Sequence, residues 1–144
     1  MDRFPESIAP LAQFLEGLQP DSLHSLGEVY DEAVQFTDPL NQATGLEQLR
    51  EVYVDLFRQL EEIRMTLREV QANPQGGFLL WTMDYRFRRK PRTIQGVTHA
   101  LVNRSGRVTH QSDYWDASFP VYGEFPVVRT LMKAIRRMVR VHGS

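Results

Sequence analysis

The sequence predicts an α+β domain in which a long antiparallel sheet curves around helices and encloses an apolar pocket. Two observations carry this expectation. Helical periodicity dominates residues 5–60, interrupted by one short strand, and after Glu61 the apolar period drops from 3.6 to 2 and stays there through four strands. Strands gathered behind helices, instead of alternating with them, build antiparallel sheets. A length of 144 residues with no repeat, linker or low-complexity tract makes residues 1–144 one domain.

The elements follow in order. Ile8, Leu11, Ala12 and Leu15 recur at helical spacing, with Phe14 alongside, and Gly17 and Pro20 end that helix. Asp21 or Ser22 is placed to cap a second short helix carrying Leu23, Leu26 and Tyr30. Ala33–Asp38 reads as a strand, closed by Asp38-Pro39 and a polar loop through Thr44. Gly45 opens the clearest helix, whose stripe runs Leu46, Leu49, Val52, Tyr53, Leu56, Phe57 and Leu60.

In the second half, Ile63, Met65, Leu67 and Val70 form a strand that turns at Asn73–Gly77. Trp81, Met83, Tyr85 and Phe87 then alternate with Thr82, Asp84, Arg86 and Arg88, placing the aromatic set on one face. A polar turn at Arg89–Arg92, a strand over Thr93–Val102, a hairpin at Asn103–Gly106 and a strand over Val108–Ala117 complete the expected sheet. After Pro120, Gly123 and Pro126, a basic amphipathic helix is expected within residues 124–144.

Composition narrows the function classes. With no cysteine there is no disulfide, no thiolate metal site and no cysteine nucleophile. Neither a leader-like start nor a run long enough to cross a bilayer is visible, so a cytoplasmic protein is expected. The net charge is −1, yet residues 1–70 hold 14 acids and 5 bases, and residues 71–144 hold 4 acids and 12 bases. Mutual neutralisation within the domain or across a dimer accounts for this split, so neither nucleic acid nor membrane is expected as a partner. A salt-sensitive contact through Arg129, Lys133, Arg136, Arg137 and Arg140 of the last helix is the lesser reading. There is no phosphate loop, nucleophile elbow or dinucleotide fingerprint. His99 and His110 alternate out of the pocket face, and His24 and His142 stand apart, so no metal is expected and no cofactor is implied.

Phe36-Thr37-Asp38-Pro39, the run from Gly45 to Leu49-Arg50-Glu51-Val52-Tyr53, and Gly106 through His110-Gln111-Ser112-Asp113-Tyr114-Trp115-Asp116 resemble the SnoaL-like branch of the NTF2-like superfamily over residues 5–118. The resemblance implies a cone-shaped fold and a homodimer. It leaves the activity open, because this fold hosts isomerases, cyclases, epoxide hydrolases and non-enzymes. In the ketosteroid isomerases an aspartate before proline is the general base, and Asp38 occupies that place. Their two oxyanion donors align with Phe14 and Thr98. Phenylalanine cannot donate and threonine donates weakly, so steroid isomerisation is not expected. The limonene-epoxide hydrolase-like proteins carry an Asp-Tyr-Phe-Asp segment that Asp113-Tyr114-Trp115-Asp116 resembles, giving Asp113 the water-activating role. Their Arg-x-Asp pair has only Thr82-Met83-Asp84 as a counterpart, and alternation turns Asp84 away.

Asp38 and Asp113 are therefore the candidate catalytic carboxylates, and a base buried among aromatics would have the raised pKa that neutral-pH chemistry needs. Phe14, Phe36, Tyr53, Trp81, Met83, Tyr85, Thr98, Gln111 and Trp115 are the candidate ligand contacts. Against catalysis stand the readings of Asp38 as a turn residue capping backbone amides and of Asp113 as a hydrogen-bonded structural acid. The function expected is cofactor-free isomerisation, cyclisation or hydrolysis of a small apolar cyclic molecule. The alternative is a non-catalytic small-ligand-binding or homodimeric interaction module.

Overall fold

A computed structural model of the chain describes residues 3–116. The helix expected over residues 124–144 and the end of the strand expected to reach Ala117 lie outside the described residues.

Helix α1, Ala9–Glu16, begins with Pro10 in its first turn, where a missing N–H leaves no bond unmade, and stops at Gly17. It buries Leu11, Ala12, Phe14 and Leu15. A 3₁₀ turn over Pro20–Ser25 follows, stabilised by reciprocal bonds between Gln19 and Ser22. It runs into a single helical turn, α2, Leu26–Val29. The expected second helix is thus shorter than its apolar spacing implied. Tyr30 does not belong to it but is the first residue of β1, Tyr30–Thr37.

The polar loop expected through Thr44 contains a strand, β2, Gln42–Thr44, that pairs antiparallel with β1. Helix α3, Leu46–Gln59, starts from Gly45 at φ 87°, a left-handed value that favours glycine. Four strands follow: β3, Glu61–Asn73; β4, Gly76–Phe87; β5, Lys90–Val102; and β6, Val108–Trp115. The turn expected over Arg89–Arg92 is only Arg88 and Arg89, because the pairing continues to Phe87 and Lys90.

These strands form one six-stranded sheet in the order β2-β1-β6-β5-β4-β3. The four long strands pair antiparallel in a meander, as expected, whereas β1, to which the sequence assigned no partner, lies parallel to β6. Register shifts in β3 near Arg64 and between Leu67 and Glu69 bend the sheet around the helices. The concave face and the helices share the core, where Ile8, Leu11, Leu26, Val34, Leu49, Leu79, Ala100 and Val108 are buried. Each valine, leucine or isoleucine among them contributes about 1.5–3 kcal/mol when removed from water. The stripe of α3 is broader than the surface it buries. Leu49 and Tyr53 are enclosed, whereas Val52 and Leu56 are half-buried because they face open space.

Candidate functional site

That space is a cavity of about 330 Å³ between α1, α3 and the concave sheet, within the size range of small-molecule sites. Leu15 and Leu18 close one side, and Val52, Tyr53, Asp55, Leu56 and Gln59 of α3 another. The sheet supplies Phe36, Met65, Trp81, Met83, Tyr85, Ile94, Asp113 and Trp115, and the loop after β1 adds Asp38, Leu40 and Asn41. Most of this wall is apolar, so the carboxylates stand out.

Asp113 reaches the cavity because β6 alternates: Gln111 and Asp113 point inward while His110, Ser112 and Tyr114 point out. Its Oδ1 accepts from Thr98 Oγ1 at 2.7 Å and from Gln111 Nε2 at 3.0 Å. Thr98 in turn accepts from Trp81 Nε1 at 2.9 Å. Among the described residues nothing donates to Oδ2, which is the atom left for a ligand. Burial pushes the Asp113 carboxyl up to about 6, against the lowering effect of Thr98 and Gln111, and the nearby charge of Asp38 adds a smaller push.

On the other side of Gln111, Tyr30 donates to Oε1 at 2.7 Å, and Tyr53 lies 2.9 Å from the Tyr30 hydroxyl. The polarity of this chain is determined. Asp113 as carboxylate only accepts, so Gln111 turns its amide N–H to it and its carbonyl to Tyr30. Tyr30 spends its single proton there, so Tyr53 must donate to Tyr30. The Tyr53 oxygen therefore keeps its lone pairs, and Tyr53 is the member of this pair that borders the cavity. Burial, first of all, raises both phenols above their ordinary range and keeps them protonated. Phe14 packs edge-on against the Tyr30 and Tyr53 rings, with centroids at 5.7 and 5.5 Å, and holds the pair in place.

Asp38 also borders the cavity, but its oxygens are engaged in its own loop. Oδ1 accepts from the Leu40 N–H at 2.7 Å and the Asn41 N–H at 2.6 Å, and Asn41 Nδ2 bridges both oxygens. Burial raises the Asp38 pKa, opposed by these bonds from Asn41 and Leu40.

Of the residues singled out in the sequence, Asp38, Phe36, Tyr53, Trp81, Met83, Tyr85, Asp113 and Trp115 border the cavity together. Phe14, Thr98 and Gln111 do not. They lie one layer behind the wall, because Tyr53 covers Phe14 while Thr98 and Gln111 reach Asp113 from beneath. Asp84 points away as alternation requires, and Thr93 Oγ1 donates to it. His99 stacks on Phe78 on the outer face, and His110 is exposed. Among the described residues no group of three or more His, Asp or Glu side chains is placed to hold a metal ion.

Tyr30 is the site residue that sequence reasoning missed as such. Its spacing from Leu26 fits a helix, and only the register of β1 against β6 reveals its partner. Leu40, Asn41 and Gln59 had no periodic signal. Val52, Leu56, Met65 and Ile94 were legible as apolar positions of the inward faces.

The SnoaL-like domain model matches residues 11–111, from α1 into β6, and the chain belongs to that family. No curated protein matches it. Among solved structures, a hypothetical protein of ketosteroid isomerase-like fold from Catenulispora acidiphila, in complex with trimethylamine, superposes with a TM-score of 0.69 at 17% identity. That match covers 84% of this chain and 92% of that one. An LEH-like epoxide hydrolase of M. tuberculosis gives 0.66 at 16% identity, over 96% and 97% of the two chains. A candidate SnoaL-like polyketide cyclase of Shewanella denitrificans gives 0.68 at 14%, over 78% and 91%. At these identities the likeness establishes the NTF2-like fold and not the reaction.

Proposed function

We propose that the chain is a cofactor-free pocket enzyme in which Asp113 takes a proton from a small, largely apolar cyclic molecule or from water beside it. The observation that supports this most is the half-committed carboxylate: Oδ1 is held by Thr98 and Gln111, Oδ2 has no donor among the described residues, and Asp113 borders an apolar cavity. A base with a pKa near 6 is ionised at neutral pH and still basic enough to accept a proton in a transition state.

The direction of the hydrogen bonds narrows the reaction. Trp81, Thr98, Gln111, Tyr30 and Tyr53 each donate to another member, and the chain ends at Asp113. A group that donates, such as water or a ligand hydroxyl, is therefore welcome between Tyr53 and Asp113, whereas a developing oxyanion finds no donor from this set. Hydration or cyclisation through an oxygen nucleophile fits better than enolisation. Asp38 serves to shape the loop and to add negative charge.

A panel of terpenoid epoxides, aromatic polyketides, steroids and fatty acids, screened by shift of the melting temperature, identifies a ligand. Turnover of that ligand is then compared in the parent and in Asp113→Asn. Undiminished turnover in Asp113→Asn overturns the assignment. Binding without turnover in the parent moves the protein to the class of ligand-binding modules. We further propose a cytoplasmic homodimer formed through the outer sheet face, where Phe78, Leu101 and Tyr114 are exposed. Sedimentation showing a monomer would refute the dimer. No helix among the described residues is long and apolar enough to cross a membrane.

A further inference from the structure

We propose that the molecule held in the cavity carries an anionic group of the phosphate or carboxylate type, and that the hairpin between β4 and β5 receives it. This rests on reading the cavity as a ligand site and specifies the class of ligand.

Residues 86–92 hold five cations and no acid. Phe87 pairs with Lys90, so the turn between them consists of Arg88 and Arg89, whose φ values are 50° and 68°. A two-residue turn with both φ positive strongly favours Asn-Gly, because a Cβ crowds the backbone in the left-handed region. Arginine at both positions strains the turn, and the property it adds is charge. Arg86 stabilises this arrangement by donating to the Arg89 carbonyl, while Glu62 lies 3.8 Å from its guanidinium. Arg88, Arg89 and Lys90 are exposed, and among the described residues they enter no ion pair.

The turn stands beside the cavity. Tyr85 borders both the cavity and a polar groove walled by Arg64, Arg86 and Arg92 together with the carboxylates of Glu62 and Asp84, which leaves the exposed Arg88, Arg89 and Lys90 of the turn as the cations without an acid beside them in sequence. Phe87 is two residues further along the strand, about 7 Å. On the facing side, Gln59 and Leu60 border the cavity and lead directly to Glu61, the cross-strand partner of Arg86. A cyclic body in the cavity thus places a short acidic tail within reach of the tip. A surface for a polyanionic macromolecule would not need this adjacency.

The test is calorimetric titration of the full chain with 1-naphthol, 1-naphthyl phosphate and inorganic phosphate at low and high salt. The expected result is that the phosphate ester binds roughly tenfold more tightly than naphthol, an advantage lost in 0.5 M NaCl. Inorganic phosphate alone should bind far more weakly than the ester. In the double variant Arg88→Asn, Arg89→Gly the advantage should disappear while the melting temperature rises, since that pair suits the turn. A charge-only double variant, Arg88→Gln and Arg89→Gln, should lose the advantage without the rise. Equal affinity for naphthol and its phosphate overturns the inference and leaves the cavity intact as a ligand site. An advantage that survives in both variants, or that inorganic phosphate alone reproduces, also overturns it. If neither naphthyl compound binds, the reading of the cavity falls with it.

Discussion

The indole of Trp81 packs against Gly96 of the neighbouring strand, so that a methyl group on Gly96 would meet Cη2 and Cζ2 of the ring at 2.5 Å. This contact orients the site. It directs Nε1 to Thr98, two residues along β5, and Thr98 then donates to Asp113. A backbone position without a side chain thus determines the direction of a hydrogen bond two steps away.

Gly96→Ala must push the indole off the strand, and the Tyr114 carbonyl, 2.9 Å from the new atom, blocks retreat on the other side. Overpacking combined with an unpaired indole N–H should destabilise the protein by about 2–4 kcal/mol. Thermal unfolding with tryptophan fluorescence checks this. A variant with unchanged stability and emission would show that Trp81 has room to move.

Asp113→Asn should stabilise the protein at neutral pH. Its Oδ1 keeps both donors, and its amide faces the cavity. In the parent, Asp113 ionises at about 3.9 when unfolded and at about 6 when folded. The folded state therefore binds more protons between those values, and stability falls as pH rises through that window. Above it the loss is constant, at about 2–3 kcal/mol. The asparagine variant lacks this slope, so denaturant titrations at pH 4 and pH 7.5 should show the variants converging in acid and diverging at neutrality. Parallel pH profiles would refute the raised pKa.

Two substitutions separate the roles of Asp38. Asp38→Ala removes the acceptor for the Leu40 and Asn41 N–H groups and should destabilise the protein by about 1–2 kcal/mol. Asp38→Asn retains an acceptor oxygen and should fold nearly as well. By removing a like charge it should lower the Asp113 pKa, seen as an acid shift in the carboxyl carbon resonance of Asp113. No shift would mean that the two carboxylates do not sense each other.

Tyr53→Phe tests the polarity of the hydroxyl chain. Phe14 still packs on the ring, and Tyr30 still donates to Gln111, so the stability loss should be only about 1 kcal/mol. Ligands that rely on donating a hydroxyl to the cavity should bind about tenfold more weakly, whereas ligands without a donor should be unaffected. An equal loss for both kinds would indicate that Tyr53 acts through shape alone.

The succession of long elements and the inward faces of the long strands were legible from local pattern alone. Alternation along β4 and β6 is a local property of the pleat, so Trp81, Met83 and Tyr85 could be placed on one side and Asp84 on the other without knowing any partner. The carboxylate positions, Asp38 before a proline and Asp113 in phase with Trp115, were legible for the same reason. Short elements were not: β2 has three residues, and Tyr30 continues a helical spacing until pairing makes it a strand.

Which inward residues touch the cavity and which stand behind it depends on packing between distant segments. Phe14, Thr98 and Gln111 share inward faces with the wall but are covered by it or bonded beneath it. The hydrogen-bond chain from Tyr53 to Asp113 joins α3, β1 and β6, and it exists because β1 lies parallel beside β6, a pairing between segments about 75 residues apart that no local period records.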